Sequence, residues 1–231
     1  QDDHPAAGAW CDDDVDRGRQ SSESRSRQKG LFAPLVTVVI ATKDREILLG
    51  HALRSLAQQD YHNWEAIVVN DGGCDISRVI SGADKKFNIH VINLNESVGQ
   101  AAARNQAFKI ARGEIICLLD DDDLYLHDHL TTVVNALSDP EEVFVYTDAN
   151  YVNEEIVGNE RHAVGCPNVL YAHDEYSRER LFIANYIPTN TWAFRRSCFD
   201  VVGYMNEDMP SHEDWEYLLR LSRNFKFTHL K

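Results

Sequence analysis

Four consecutive aspartates, Asp120-Asp121-Asp122-Asp123, follow the apolar run Ile115–Leu119 without a gap. Adjacent carboxylates repel one another, and a divalent cation is the usual counter-charge for such a cluster. Ligands that are all oxygen select hard ions, Mg²⁺ or Mn²⁺, which keep open positions for phosphate oxygens. A solvated acidic turn starting the next helix is the other reading, since carboxylates suit a helix N-terminus. A second acidic pair lies in Ser211-His212-Glu213-Asp214-Trp215. Asp214 has the chemistry of a general base, able to take a proton from a substrate hydroxyl within hydrogen-bonding reach. The same string also fits a helix cap, with Ser211 at the N-cap and an acid three residues later. Arg104, in Gly99-Gln100-Ala101-Ala102-Ala103-Arg104-Asn105, is either a cation for phosphates or a solvated helix charge.

These residues need elements to position them, and the order of apolar runs supplies a candidate. Short Val/Ile-rich runs at Leu35–Ala41, Glu65–Val69, Ile89–Leu94, Glu114–Leu119 and Val143–Thr147 alternate with helical spacing at 49–56, 103–111 and 130–137. This is the pattern of strand-helix-strand units and an α/β, Rossmann-like fold with a mainly parallel central sheet. Gly113 is expected to cap the helix over 103–111, and Asp139-Pro140 to end the one over 130–137. The 150–190 region gives no clear pattern beyond one helix around Glu175–Ile183. A strand at Thr191–Arg195, a helix at His212–Arg223 and a strand at Lys226–Leu230 finish the chain. Open parallel sheets bind ligands beyond the carboxyl ends of their strands. The residues there are Thr42-Lys43-Asp44-Arg45, Asn70-Asp71-Gly72-Gly73, the aspartate run, and Asp148-Ala149-Asn150.

Composition narrows the classes. The chain has 231 residues, 43% hydrophobic and 26% charged, enough for one good core. Its net charge of -14 opposes a nucleic-acid surface, and no apolar run approaches the ~20 residues of a membrane helix. Residues 1–30 carry Asp12-Asp13-Asp14 and a Ser/Arg-rich stretch with few large apolar side chains, and read as a disordered leader or linker before a domain over 31–231. Five dispersed cysteines without a Cys-x-x-Cys pair fit neither a disulfide framework nor a thiolate zinc site, and point to a reducing, cytoplasmic location. The start at Gln1 suggests a processed product or an excised piece. Neither the P-loop nor the G-x-G-x-x-G fingerprint occurs, H-E-x-x-H is absent, and Gly165-Cys166-Pro167 reads as a turn.

Five ordered strings together resemble the inverting glycosyltransferases of family 2, nucleotide-sugar enzymes of the GT-A fold. They are Val38–Arg45; Ile67–Gly72; Asn95–Gly99 with Ala103-Arg104-Asn105; Leu118–Asp123; and Glu213-Asp214-Trp215 with Leu219-Arg220. The likeness spans residues 34–231. It implies that Thr42, Asp44 and Asp71 line the base and ribose pocket with Arg104 nearby, and that Asn70 and Asp121 belong to the donor side. It matches Asp120 and Asp122 to the Asp-x-Asp signature that carries Mn²⁺ or Mg²⁺ against the donor diphosphate, Asp122 being the direct ligand. Asp214 matches the catalytic base, and Glu213 would position the acceptor or orient the base. The implied partners are a nucleotide-sugar donor, UDP-sugar by default, and a glycan or glycoconjugate acceptor, as in polysaccharide biosynthesis.

The sequence departs from the family pattern at Lys43, where an aromatic is frequent, at Asn70, where an aspartate is common, and at Gly73-Cys74, where Ser-Thr is usual. These changes bear on the base and sugar contacts rather than on the metal. The Q-x-x-R-W string of processive members is absent, and the chain stops 17 residues after Asp214, which reads as a C-terminal truncation. Two alternatives stand beside this reading. One is a haloacid-dehalogenase-like phosphatase, whose strand also ends in Asp-x-Asp. The other is a nucleotide-sugar-binding module that kept the fold and lost turnover.

Overall fold

The computed structural model describes residues 33–82, 88–165, 168–169 and 176–231. The leader expected over 1–30, the Cys166-Pro167 part of the expected turn and Glu175 lie outside the described residues. A seven-stranded sheet has the order β11-β5-β10-β4-β1-β2-β3. Its members are β1 (Val36–Thr42), β2 (Trp64–Asn70), β3 (Asn88–Asn93), β4 (Ile115–Leu118), β5 (Phe144–Thr147), β10 (Trp192–Arg195) and β11 (Phe227–Leu230). β1 pairs in parallel with β2 and β4, β2 with β3, and β5 with β11. β10 is antiparallel to both β4 and β5, so it alone opposes the common direction. The expected mainly parallel α/β sheet is present, and the carboxyl ends of β1, β2, β4 and β5 open on one rim.

β1 and β2 are nearly all apolar because they are covered on both faces, and every residue of β2 is buried. Val39, Ile67, Val69, Ile116, Leu118, Phe144 and Phe194 join one cluster with Ala103, Ala107 and Phe108 of α3 (Gln100–Ile110) and Tyr217, Leu218 and Leu221 of α7 (Glu213–Asn224). The strand residues alternating with them, among them Val38, Ile40, Val68 and Cys117, are equally buried and point to the other face. That face belongs to α1 (Glu46–Ala57) and α4 (His129–Ala136), whose Leu49, Leu53, Leu56, Leu130 and Val133 are buried. The remaining helices are α2 (Ser77–Gly82), α5 (Arg178–Ile183) and α6 (Cys198–Val202).

Two expectations change. α3 ends at Ile110 with Ala111 at its C-cap, so Gly113 does not cap it. Gly113 instead packs against β1: its N–H donates to Thr37 Oγ1 at 2.9 Å, and a Cβ there would lie 2.5 Å from Thr37 N and 2.8 Å from Leu35 O. The glycine permits a close backbone approach. The unassigned 150–165 stretch forms a hairpin, β7 (Glu154–Val157) with β8 (Glu160–Ala163), turning at Gly158-Asn159. β6 (Asn150–Tyr151) pairs with β9 (Asn168–Val169). The hairpin turn touches α1, where His51 Nε2 meets Asn159 O at 2.8 Å.

Candidate active site

The aspartate run leaves β4 on the rim, and each of its carboxylates meets a different environment. Asp120 accepts from Arg104 Nη2 at 2.6 Å. Arg104 is 3% exposed, so the reading of a solvated helix charge is corrected: it is a buried cation between two acids, because its Nη1 also lies 3.8 Å from Glu213. The Gln100 amide, oriented by these neighbours, closes the link by accepting from Arg104 at 2.6 Å and donating to Glu213 at 3.2 Å. The end of β4 and the start of α7 are thereby joined through α3.

Asp121 is buried and accepts from Thr42 Oγ1 at 2.7 Å and from Arg45 Nη1 at 3.1 Å. Burial pushes its carboxyl above the ordinary aspartate value, against the pull of Thr42 and Arg45. Asp122 points outward and accepts from the same Arg45 Nη1 at 2.9 Å, while Arg161 from β8 donates to its backbone carbonyl at 2.8 Å. Asp123 is pushed up to about 7 by burial, reinforced by Asp120 and Asp122. Behind the run, Tyr125 anchors the turn, its hydroxyl donating to Leu118 O at 2.6 Å.

Asn70 and Asp71, expected on the donor side, are largely committed to building the rim. Asn70 Nδ2 donates to Cys74 O at 2.8 Å and its Oδ1 accepts from Gly73 N at 3.1 Å. The buried Asp71 carboxylate accepts from Ser97 Oγ (2.7 Å), Val98 N (2.7 Å) and Gly99 N (3.1 Å), fixing the loop that starts α3. Gly72 (φ 67°) lies against this loop, where a Cβ would fall 2.5 Å from Glu96 C and Ser97 N. Asp44 adopts φ 55° and accepts from Cys74 N at 2.8 Å, so the β1 and β2 ends interlock. The pattern of acids after strands made these positions legible, but not which carboxylates would be spent on backbone amides.

The helix-cap reading of Ser211 is also corrected. The N-cap of α7 is His212 (φ 61°), which caps with no side-chain bond, and Ser211 Oγ pairs with His212 Nδ1 at 2.9 Å. Asp214 in the first turn directs one oxygen away from its helix: Oδ2 accepts from Asn185 Nδ2 at 2.9 Å and Thr189 Oγ1 at 3.3 Å, while Oδ1 takes the Trp215 N–H at 2.7 Å. Trp215 Nε1 donates to Leu181 O at 2.7 Å, tying α7 to α5. Asp120, Arg104, Glu213 and Asp214 line one cavity of about 610 Å³ together with Gly99 and Thr189. Arg161 and Asn185 are site-building residues that no motif singled out, and Arg45 stood in the first string without a role of its own.

Among the described residues, no group of three or more His, Cys, Asp or Glu side chains converges as a ready-made metal cage. The donor chemistry nevertheless fits a hard divalent ion held by one or two carboxylates and completed by phosphate oxygens and water, as Mg²⁺ commonly is. Asp122 is exposed, and Asp120 keeps one oxygen beyond its bond to Arg104. Among the described residues, no helix is long and apolar enough to cross a membrane.

Comparison with known proteins agrees with this architecture. An uncharacterized glycosyltransferase of Bacillus subtilis, YwdF, is 31% identical over 191 residues, covering 83% of this chain and 69% of YwdF. The crystal structure of S. aureus TarS 1-349 in complex with UDP-GlcNAc superposes with a TM-score of 0.66 at 21% identity, over 84% of this chain and 55% of that one. The mannosyltransferase PcManGT from Pyrobaculum calidifontis, solved with GDP-Man and Mn²⁺, gives 0.64 at 18% identity, over 91% and 61%. At these identities the structural likeness speaks for the fold, which is GT-A. The chain spans about two thirds of YwdF and little more than half of the solved chains. The model of the family described as Glycosyl transferase family 2 matches residues 37–203, more than half of the chain and the whole stretch carrying the strand ends and the aspartate run, so the chain belongs to glycosyl transferase family 2.

Proposed function

We propose that this chain is the catalytic domain, over residues 31–231, of an inverting, metal-dependent glycosyltransferase that moves a sugar from a nucleotide-diphosphate donor to an acceptor hydroxyl of a glycan or glycoconjugate. The observation that carries this reading is the cavity shared by Asp120, Glu213 and Asp214, whose two acidic motifs are bridged by Arg104. A UDP-sugar is the favoured donor; the TarS neighbour was solved with UDP-GlcNAc, whereas PcManGT holds GDP-Man and Mn²⁺.

In this reading Asp214 accepts the proton of the acceptor hydroxyl, oriented by Asn185 and Thr189. The acceptor oxygen forms its bond to the anomeric carbon on one face as the bond to the diphosphate oxygen breaks on the other, which inverts the configuration. Asp122, with Asp120, would hold a Mn²⁺ or Mg²⁺ ion. When bound, that ion supplies charge neutralisation for the departing diphosphate. Thr42 and Asp121 fix the β4 end from below, Asp44, Asn70 and Asp71 shape the wall facing the base and ribose, and Glu213 orients the acceptor side. Arg104 acts as a positioning residue.

The test is a calorimetric screen of UDP-, GDP- and dTDP-sugars, each with Mn²⁺ and with chelator, followed by an assay for nucleotide diphosphate release with glycan acceptors. Metal-dependent binding of one donor and acceptor-dependent release are expected. Binding of no nucleotide sugar under either condition would overturn the proposal.

A further inference from the structure

Arg45 is placed where a metal-binding carboxylate needs its counter-charge. It stands at the N-cap of α1, directly after Asp44, whose φ of 55° and bond to Cys74 N set the turn that delivers it. Its Nη1 lies 3.1 Å from Asp121 Oδ1 and 2.9 Å from Asp122 Oδ2. The two halves of this bridge differ. Asp121 is buried and held by Thr42, so the guanidinium is anchored there. The Asp122 side chain is 49% exposed, and its bond to Arg45 is open to exchange. The Asp122 backbone does not depend on Arg45, because Arg161 Nη2 holds its carbonyl.

We propose that Arg45 is the resident counter-cation of Asp122, and that a divalent ion and this guanidinium compete for the one carboxylate. The run is then charge-compensated in the free protein. Both contacts use the one Nη1 atom, so an ion held by Asp122 takes over that carboxylate while Arg45 keeps its bond to Asp121. Metal alone therefore binds more weakly than the acidity of the run suggests, and Arg45 sets that affinity. This inference rests on the reading of Asp122 as the metal ligand.

The experiment titrates Mn²⁺ into the nucleotide-free protein and follows the EPR signal of the free ion, with folding checked by thermal melting. Arg45→Met removes the competing charge and keeps much of the side-chain length; Mn²⁺ should bind about three- to tenfold more tightly. Arg45→Lys keeps the charge on a shorter side chain that reaches the two carboxylates less well, so a smaller tightening is expected. It carries the test should Arg45→Met fail to fold. Asp122→Asn, measured alongside, should abolish the binding. If Asp122→Asn binds Mn²⁺ like the parent, the metal reading of Asp122 fails and the inference with it. If Asp122→Asn loses the ion while the Arg45 variants bind it no more tightly than the parent, the competition alone is overturned.

Discussion

Asn185 Nδ2 donates to Asp214 Oδ2 across 2.9 Å, so a residue just beyond α5 holds a carboxylate in the first turn of α7. Thr189 Oγ1 supports the same oxygen at 3.3 Å. An acid that merely capped its own helix would need neither partner. Replacing Asp214 by Asn keeps the shape and removes the basic oxygen. Transfer is expected to fall about 10²- to 10⁴-fold, with donor affinity by calorimetry essentially unchanged. Full turnover in Asp214→Asn would end the general-base assignment.

Asn185→Ala and Thr189→Val test the support rather than the base. Each leaves the Asp214 side chain in place and deprives it of one oriented donor. A drop in kcat of about tenfold is expected, with little change in donor KM, because the loss lies in positioning. A change confined to donor KM would place these side chains in donor binding instead.

Arg104 is buried between Asp120 and Glu213. Arg104→Met leaves two partly buried carboxylates without their shared cation, and breaking such a pair costs about 3 kcal/mol. Urea unfolding should record a loss of that order. A loss below about 0.5 kcal/mol, the usual scale for surface changes, would mean that solvent already compensates these acids.

Glu65 lies on β2 at the edge opposite the rim, fully buried, where burial pushes its carboxyl up. Hydrogen bonds from Thr37 Oγ1, Arg112 N and the Arg112 guanidinium outweigh that effect and bring it below its ordinary value of about 4.5. The folded state therefore holds this proton less tightly than the unfolded chain. The stabilisation is complete above about pH 4.5 and is lost as pH falls through the lower folded value. Glu65→Gln should cost about 1.5–3 kcal/mol at pH 7. The gap to the parent should narrow below pH 4.5, and denaturant melts at pH 7 and at pH 3.5 read it directly. A gap independent of pH would show that Glu65 does not titrate differently in the two states.

Gly113→Ala places a methyl group within 3 Å of the β1 backbone, which cannot withdraw as a flexible side chain could. A destabilisation of about 1–3 kcal/mol is expected by thermal melting. A neutral effect would mean that the backbone around Thr37 yields to the added methyl group.

The parts of the fold that the sequence made legible are those with a strong local cause. β1, β2 and β4 are nearly continuous apolar runs because both faces are covered, and the acids that follow them fall on the rim by topology alone. Asp120 to Asp123 could be found that way, and Glu213 and Asp214 as an acidic pair opening a helix. What each carboxylate touches could not, since Arg45, Arg161 and Asn185 lie 76, 39 and 29 positions from their partners in the chain.

The β7–β8 hairpin was illegible for another reason. Its strands are mostly exposed, so no alternation of buried and polar residues marks them, and backbone pairing carries the structure. Gly158-Asn159 forms its two-residue turn, but a single dipeptide without flanking alternation does not mark a hairpin. Arg104 was ambiguous because a basic residue in an alanine-rich helix looks the same whether it faces water or two acids.

β10 runs against its neighbours, so its leading end opens on the rim, and the stretch around Asn185 and Thr189 enters the sheet from the crevice. The two banks of the cleft thus hang on different connections of the sheet, one leaving a parallel strand with the aspartates and the other entering the antiparallel strand with Asn185 and Thr189.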